Sequence, residues 1–415
     1  MSKNKDALFL CQFFHPEYIT SAQLPYDAVL AIANAGYTVD VICGYPKEYN
    51  IKSDVPRKEQ IGRMTINRLK YIQLKRSSFL GRIINYLSFT ISVALRFLKM
   101  KNYHSIFVYS NPPILPIVAA MAKKIFKTSL VFINFDIYPE IAVKTGSITE
   151  GSLIYRSMVM ANRFIYRHTD KVIAISGEMK NYILNNRPVR HADQIEVVPN
   201  WCHDNEQLTS QEPVSHPQLL SIKNNNRLIV SYFGNMGICQ DMDTILDTIR
   251  LLSHEQDIHF LFAGHGSKLA MIRAATDAEN LTNVTVFDYL HGQDFVDALR
   301  ISDCFIASLV EGLAGLCVPS KIYSYLSASK PVITIMEEDY DIVKDIIKGK
   351  AGCFIKQGNA HELMNNLLTL RNDQHLITDM GQRGRKIYNQ KYTLEVCTSQ
   401  YVSILEDILH ARGVK

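Results

Sequence analysis

What the sequence lacks narrows its function first. No Walker-type phosphate loop occurs anywhere in its 415 residues, and the stretch after the first strand-like run, "FFHPEYITSAQL", contains no glycine. A dinucleotide-binding strand needs Gly-x-Gly-x-x-Gly at that point, which argues against an NAD or FAD reading of the first domain. The eight cysteines, at 11, 43, 202, 239, 304, 317, 353 and 397, form no Cys-x-x-Cys pair. Cys43 in "VDVICG" and Cys304 in "DCFIAS" lie inside apolar runs. They read as buried thiols of a reducing compartment, not as a disulfide frame or a zinc site. No uncharged run reaches the length of a membrane span. The start, "MSKNKDALFLCQFF", has too short an apolar run and no cleavage site for a signal peptide. A cytoplasmic protein is expected, without tandem repeats or a low-complexity tail.

What is present is ordinary globular material, 47% apolar and 20% charged, enough for two or three domains. The charge is unevenly spread. Residues 57–127 hold 14 lysines and arginines against one acid, Glu59, while the whole chain is only +5. Such a block implies anionic partners: lipid head groups, phosphorylated substrates or nucleic acid. Nucleic acid is disfavoured, because no binding motif accompanies the block and few aromatics interleave with it. Within it, "GRIINYLSFTISVALRFLKM" predicts a helix over 82–100. Asn85, Ser88, Ser92, Arg96 and Lys99 fall on one stripe, and Ile83, Leu87, Ile91, Ala94, Leu95 and Leu98 on the other side. Phe89, Val93 and Phe97 widen the apolar arc. Two readings stand: a membrane-surface helix, or a core-packed helix with an outward polar stripe.

Strand-like and helical segments alternate along the chain, from "ALFLCQFF" to "IEVVPN" and again from "LIVSYFGN" to "AGCFI". That predicts α/β architecture with two doubly wound, Rossmann-like domains. The expected bounds are 1–200 for the first domain, 201–227 for a polar linker and 228–390 for the second domain. A C-terminal helical segment, 391–415, is expected to pack back on the first domain. Ligands of such sheets bind at the carboxyl ends of the strands, so the loops there are the place to look.

"VPSKIYSYLSASKPVI" (318–333) places Ser320, a natural N-cap, and Lys321 at the entrance of a short helix. Free N–H groups and a cation there suit an anion. Gly234 and Gly237 in "YFGNMGICQD" and Gly264 and Gly266 in "FAGHGS" let backbone approach a ligand. Glu311 precedes the helix and suits sugar hydroxyls. Together these fit a nucleoside diphosphate. In the first domain, Asn111 in "SNPP" and Asp136 and Glu140 in "DIYPE" follow strands. Carboxylates there serve either as acid, base or hydroxyl ligands or as helix caps. A lone histidine, His15, is more often structural.

Nine pieces in order carry a family resemblance: "FFHPEYITSAQL", "AGYTVDVICGYP", "SNPP", "DIYPE", "KVIAIS", "VVPNW", "FGNMGICQDMDTIL", "FAGHG" and "GLAGLCVPSKIYSYLSASKPVI". Over nearly its whole length the chain resembles the retaining family 4 glycosyltransferases with the GT-B fold, in the bacterial surface-polysaccharide branch (O-antigen, capsule and colanic-acid type). The resemblance implies two Rossmann-like domains facing across a cleft. It implies transfer of a hexosyl or N-acetylhexosaminyl group from a nucleoside-diphosphate sugar to a saccharide acceptor. That acceptor would be polyprenyl-diphosphate-linked, and the enzyme peripheral at the inner face of the cell membrane through its basic 57–127 region. No cofactor and no metal are implied, the nucleotide sugar being a substrate. Asp136, Glu311 and Lys321 would be catalytic. Gly234, Asn235, Gly237, Gln240, Gly264, Gly266, Leu316, Cys317 and Ser320 would hold the donor; Thr20, Ser21, Gln23 and Asn111 would lie on the acceptor side.

The sequence departs from the family in four places. Asn235 and Gln240 stand where cations are usual, and of a Glu-x7-Glu pair Glu311 is the candidate first member while the position of the second reads Ser324, at a spacing too long for the pair. "EYITSA" replaces a glycine-rich first loop, and the histidine of the first domain's catalytic loop is absent, with Asp136 the nearest polar group. Two alternatives follow: a nucleotide-sugar 2-epimerase using His15, Asp136, His265 and Glu311, and a non-catalytic partner subunit.

Overall fold

The structure is a computed structural model describing residues 5–47, 54–75, 78–204, 208, 212–225 and 228–414. It divides into two compact units. Unit 1 comprises Met1–Asn200, Gly315–Val318 and Leu394–Lys415; unit 2 comprises Trp201–Ala314 and Pro319–Thr393. Both are Rossmann-like, with parallel sheets covered by helices.

In unit 1 the chain runs β1 (Lys5–Leu10), α1 (Thr20–Asn34), β2 (Val39–Gly44), β3 (Lys58–Ile61), β4 (Met64–Leu69), α2 (Phe79–Ala94), β5 (Tyr103–Tyr109) and α3 (Leu115–Phe126). It continues through β6 (Ser129–Asn134), α4 (Glu140–Lys144), α5 (Leu153–His168), β7 (Lys171–Ala174), α6 (Gly177–Asn186) and β8 (Ile195–Val197). The sheet order is β3-β4-β2-β1-β5-β6-β7-β8, and β3 alone is antiparallel to its neighbour. Central strands are buried on both faces, which is why "VDVICG" reads as a continuous apolar run with one exception, Asp40. Asp40 is held by Lys5 Nζ at 2.6 Å and by the Tyr103 hydroxyl at 2.6 Å.

The predicted 82–100 helix is divided and turned around. α2 ends at Ala94, and a 3-10 turn covers Phe97–Asn102. The polar stripe faces the protein. Asn85 accepts from Leu74 N at 2.8 Å and donates to Leu74 O at 2.9 Å. Ser88 Oγ accepts from Ile72 N at 3.2 Å, and Ser92 Oγ donates to Lys70 O at 3.1 Å. The chain after β4 has no further strand to pair with, and these side chains satisfy its backbone instead. Phe89 and Val93 share the buried side, while the leucine stripe faces out. A core-packed helix with an outward polar stripe is therefore not what forms. Part of the basic block is consumed internally as well: Arg68 is buried, donating to Pro56 O and His15 O at 2.9 Å each and pairing with Glu59 at 2.7 Å.

Unit 2 runs α7 (Pro217–Asn225), β9 (Leu228–Asn235), α8 (Asp243–Leu251), β10 (Ile258–His265), α9 (Ser267–Ala278), β11 (Val284–Phe287), α10 (Gly292–Ile301) and β12 (Cys304–Ser308). It continues through α11 (Lys321–Ser327), β13 (Val332–Ile335), α12 (Asp341–Gly349), β14 (Gly352–Ile355), α13 (Ala360–Asn372) and α14 (Gln374–Lys391). The order β11-β10-β9-β12-β13-β14 is wholly parallel and reverses direction between β9 and β12. The expected linker is only partly a linker. Residues 217–225 are α7, which buries Leu219 and Ile222 against α10. Positions 205–207, 209–211 and 226–227 of that stretch lie outside the described residues. The last helix, α15 (Leu394–His410), belongs to unit 1 and packs on α1, with Arg412 beyond it donating to Ser129 Oγ at 2.6 Å.

α14 crosses the end of α11 so closely that a Cβ on Gly381 would sit 2.0 Å from Ser329 O. Ala in place of Gly favours a helix interior by roughly 0.5–1 kcal/mol. Overpacking against backbone costs about 1–3 kcal/mol, so the clash wins. Gly381→Ala is therefore expected to lower the urea midpoint with an unchanged m-value; a raised midpoint would show that the two helices do not approach this closely.

Candidate active site

The crevice outside the carboxyl ends of an α/β sheet, where strand order reverses, is where such sheets bind ligands. In unit 2 that point lies beyond β9 and β12, and Lys321 is there. Its ammonium donates to Asn235 O at 3.0 Å and stands 3.8 Å from the centroid of the buried Tyr232 ring. Burial pushes it well below the ordinary lysine range, and no carboxylate offsets the shift. The side chain lies over Gly234, where an added Cβ would come 3.8 Å from Lys321 Cε.

Two tyrosines of the motif explain how Lys321 is held. Tyr325 is buried and stacks on Phe305 with ring centroids 4.2 Å apart. Its hydroxyl accepts from Phe233 N at 2.8 Å and donates to Phe233 O at 3.1 Å. Tyr323, equally buried, packs against Tyr392. α11 is thus bolted to the end of β9. Ser320 precedes the helix with helical backbone angles and makes no side-chain cap bond, contrary to its expected role. With seven residues, α11 is also too short to carry the anion reading by its dipole. That reading passes to the Lys321 side chain.

The glycines act mainly on one another. A Cβ on Gly264 would lie 2.0 Å from Gly234 O, and one on Gly266 2.3 Å from Met236 O, so both loops need glycine to pass each other. Gln240 is buried and its Oε1 accepts from Gly237 N at 2.7 Å, stapling the turn. Asp241 caps α8 through Thr244 N at 3.1 Å, and Asp243 pairs with Lys268 at 3.0 Å. His265 is exposed beside this cluster, its imidazole pushed down by partial burial and by the Lys321 charge. Glu311 is exposed on the loop after β12. Glu337, after β13, is the carboxylate that holds this loop: its Oε1 accepts from Gly312 N, while Oε2 is buried without a partner. Sequence reasoning missed Glu337, Tyr232 and Tyr325. The tyrosine spacing on a short helix was the available signal; for Glu337 there was none.

Leu316 and Cys317 belong to unit 1. Leu316 is buried, and its carbonyl accepts from Ile137 N at 2.9 Å. In the same unit Ser110 Oγ accepts from Phe135 N at 3.1 Å and Asp136 N at 3.4 Å, fixing the loop after β6. Burial pushes the Asp136 carboxyl up to about 6. Glu140 is instead ion-paired with Arg187 at 2.5 Å, which leaves Asp136 as the candidate acid or base of that pair. Asn111, next in sequence to Ser110, has its Oδ1 buried with no hydrogen-bond partner among the described residues. Thr20, Ser21 and Gln23 form the first turn of α1. His15 stacks on Tyr26 at 4.6 Å, a structural placement.

Two sequence families match this chain in succession. Residues 26–201 match a "Glycosyl transferase 4-like domain", and residues 227–373 match "Glycosyl transferases group 1". Each half of the chain thus carries a glycosyltransferase domain, the second of the group 1 type. Its fold is GT-B. Among relatives, the glycosyltransferase named WbjE of Pseudomonas aeruginosa is 25% identical over 57% of this chain, and the alignment spans 58% of that protein. WcaI of Escherichia coli K12, named for colanic acid biosynthesis, is 21% identical over 78% of this chain and 81% of its own length. Among solved structures, sucrose-phosphate synthase of Thermosynechococcus elongatus superposes with a TM-score of 0.72 at 16% identity, covering 98% of this chain and all of that one. Anabaena HepE, solved with UDP and glucose, gives 0.69 at 15% identity over 97% of this chain and all of its own. The chain shares fold, not close sequence, with those structures.

Tyr325→Phe in this glycosyltransferase leaves the buried Phe233 amide and carbonyl unsatisfied. A loss of about 1–3 kcal/mol is expected in denaturant unfolding. Stability equal to wild type would mean that the hydroxyl does not hold α11.

Proposed function

We propose that this glycosyltransferase moves a sugar, with retention at the anomeric carbon, from a nucleoside-diphosphate sugar to a saccharide acceptor of polysaccharide biosynthesis. The observation that carries the reading is the Lys321 ammonium, half-buried on Tyr232 with no counter-anion among the described residues, at the switch point of the unit 2 sheet. Such a charge gains most from a ligand that brings two or more negative charges. As the bond from the anomeric carbon to the diphosphate oxygen breaks, charge grows on that oxygen. A cation already in place stabilises it without reorganisation. The acceptor hydroxyl oxygen bonds to the anomeric carbon, and its proton passes to the leaving diphosphate. Gly234 and Asn235 line the lysine; Glu311 serves hydroxyls of the donor, and Asp136 serves the acceptor. No metal is required in this reading. Asp241 and Asp243, the paired acids nearest the glycine loop, are taken up by a helix cap and by Lys268.

The name of WcaI, for colanic acid biosynthesis, supports a polysaccharide role, and HepE's complex with UDP supports a nucleoside-diphosphate donor. A hexose or N-acetylhexosamine is the proposed cargo. A polyprenyl-diphosphate-linked saccharide is the proposed acceptor, met by a cytoplasmic enzyme peripheral at the inner membrane face. The 57–127 basic block supports that side of the reading.

The test is a panel of nucleotide sugars incubated with and without lipid-linked acceptor, using wild type and Lys321→Met. Wild type is expected to transfer one sugar, and chelation by EDTA to leave the rate intact. The variant is expected to lose on the order of 3 kcal/mol of barrier stabilisation, about a hundredfold in rate. Its melting temperature should not fall, because an unpaired buried charge has been removed. Undiminished turnover in the variant would sink the diphosphate role. Interconversion of a nucleotide sugar without acceptor would mean an epimerase, and binding without turnover a partner subunit.

A further inference from the structure

Thirteen of the eighteen exposed large apolar side chains among the described residues fall between Ile72 and Met160. They lie on α2 and its C-terminal cap residue Leu95, the 3-10 turn after it, α3, α5 and the segment leading into α2. α2 packs on α3, and α3 on both the turn and α5, so these are neighbouring elements of unit 1. The most open are Leu95 at 81%, Leu153 at 81%, Leu98 at 71% and Met160 at 69%. A monomer in water rarely leaves so many together.

The exposure is built in. Rotating α2 to bury Leu87, Ile91 and Leu95 would break the paired hydrogen bonds of Asn85 with Leu74 and those of Ser88 and Ser92 with Ile72 and Lys70. The polar stripe is spent inward, and the leucines are held outward.

Charge identifies the occupant. The sequences of α2, the turn, α3 and α5 contain eight lysines and arginines and not one aspartate or glutamate. Lys123 is paired with Asp170, which lies just beyond α5. Lys99, Lys124, Arg163 and Arg167 are exposed. A two-fold dimer would set this face against its own copy, cation against cation. A bilayer of anionic lipid meets both demands: acyl boundary for leucine, phosphate for lysine and arginine whose stems snorkel.

We propose that this face of unit 1 docks on an anionic phospholipid bilayer, with α2 lying in the interface and its leucine stripe inserted. The proposal deepens the membrane-side reading above and rests on it. Its test involves no sugar transfer, so docking can fail while transfer survives, and the reverse.

The full chain is sedimented with vesicles of pure phosphatidylcholine and of phosphatidylcholine mixed with phosphatidylglycerol, at low and high salt, alongside free inorganic phosphate as competitor. Wild type is expected to bind the anionic vesicles at least tenfold more tightly than neutral ones, with weakening by salt and no displacement by millimolar phosphate. The variant Leu87→Ser/Ile91→Ser/Leu95→Ser/Leu98→Ser is expected to lose at least tenfold in vesicle affinity. Leu95→Asp alone, at a fully open position, should give the same direction with negligible risk to folding. Unchanged vesicle binding in both variants would overturn insertion. So would equal binding to neutral lipid, displacement by phosphate, or a wild-type dimer that the serine variant converts to monomer.

Discussion

One contact sets the geometry of unit 2's ligand edge: the Tyr325 hydroxyl bridging the amide and carbonyl of Phe233. Beyond Ser231, β9 stays paired with β10 but no longer with β12, and the buried polar groups of Phe233 need partners. A side chain from α11 supplies both. That bolt fixes a short helix which has no cap bond of its own and would be marginal alone. Because α11 is fixed, Lys321 lands over Gly234 and against Tyr232. Gly264 and Gly266 then let the neighbouring loop close on the same point. The Gly381 contact from α14 supports α11 from behind.

The outcome is a cation placed where burial disfavours it. Folding alone gains little from such an arrangement, since a desolvated ammonium without an anion is costly. An aromatic face recovers part of that cost. The remainder is available to a ligand, which is the physical link between this site and anion recognition. Unit 1 shows the same logic in apolar form. Its polar side chains are turned in to satisfy the chain after β4, and leucines are left facing water.

The two-domain α/β architecture was legible because strand and helix periods alternate without ambiguity, and nine motifs fell in family order. Lys321 was legible from its motif. How it is placed was not: the sequence suggested a capped helix end, whereas Ser320 makes no cap bond and the Lys321 side chain lies over Gly234 and against Tyr232. Gln240 and the glycines were read as ligand contacts because a glycine loop looks alike whether it approaches a ligand or another loop. Only coordinates distinguish Gly264 facing Gly234 from Gly264 facing phosphate. The inversion of α2 was hidden for a related reason. A helical wheel gives two faces but cannot say that unpaired backbone at Lys70, Ile72 and Leu74 claims the polar one. Likewise 217–225 looked like linker, since two buried residues, Leu219 and Ile222, suffice to dock a helix that is otherwise polar.

The central claim is that the Lys321 ammonium, depressed by burial, is completed by a diphosphate. Titration calorimetry with UDP and GDP in buffers of differing ionisation enthalpy tests it most directly. At about pH 8.5, phosphate groups with pKa near 6 are fully ionised. Burial favours the neutral amine and an anion favours the ammonium, so binding raises the Lys321 pKa, and wherever the free amine has begun to lose its proton binding draws one in. The account predicts proton uptake with at least one of the two nucleotides, weaker affinity as pH rises, and loss of both effects in Lys321→Met. Binding without proton uptake, or uptake that persists in the variant, would contradict it.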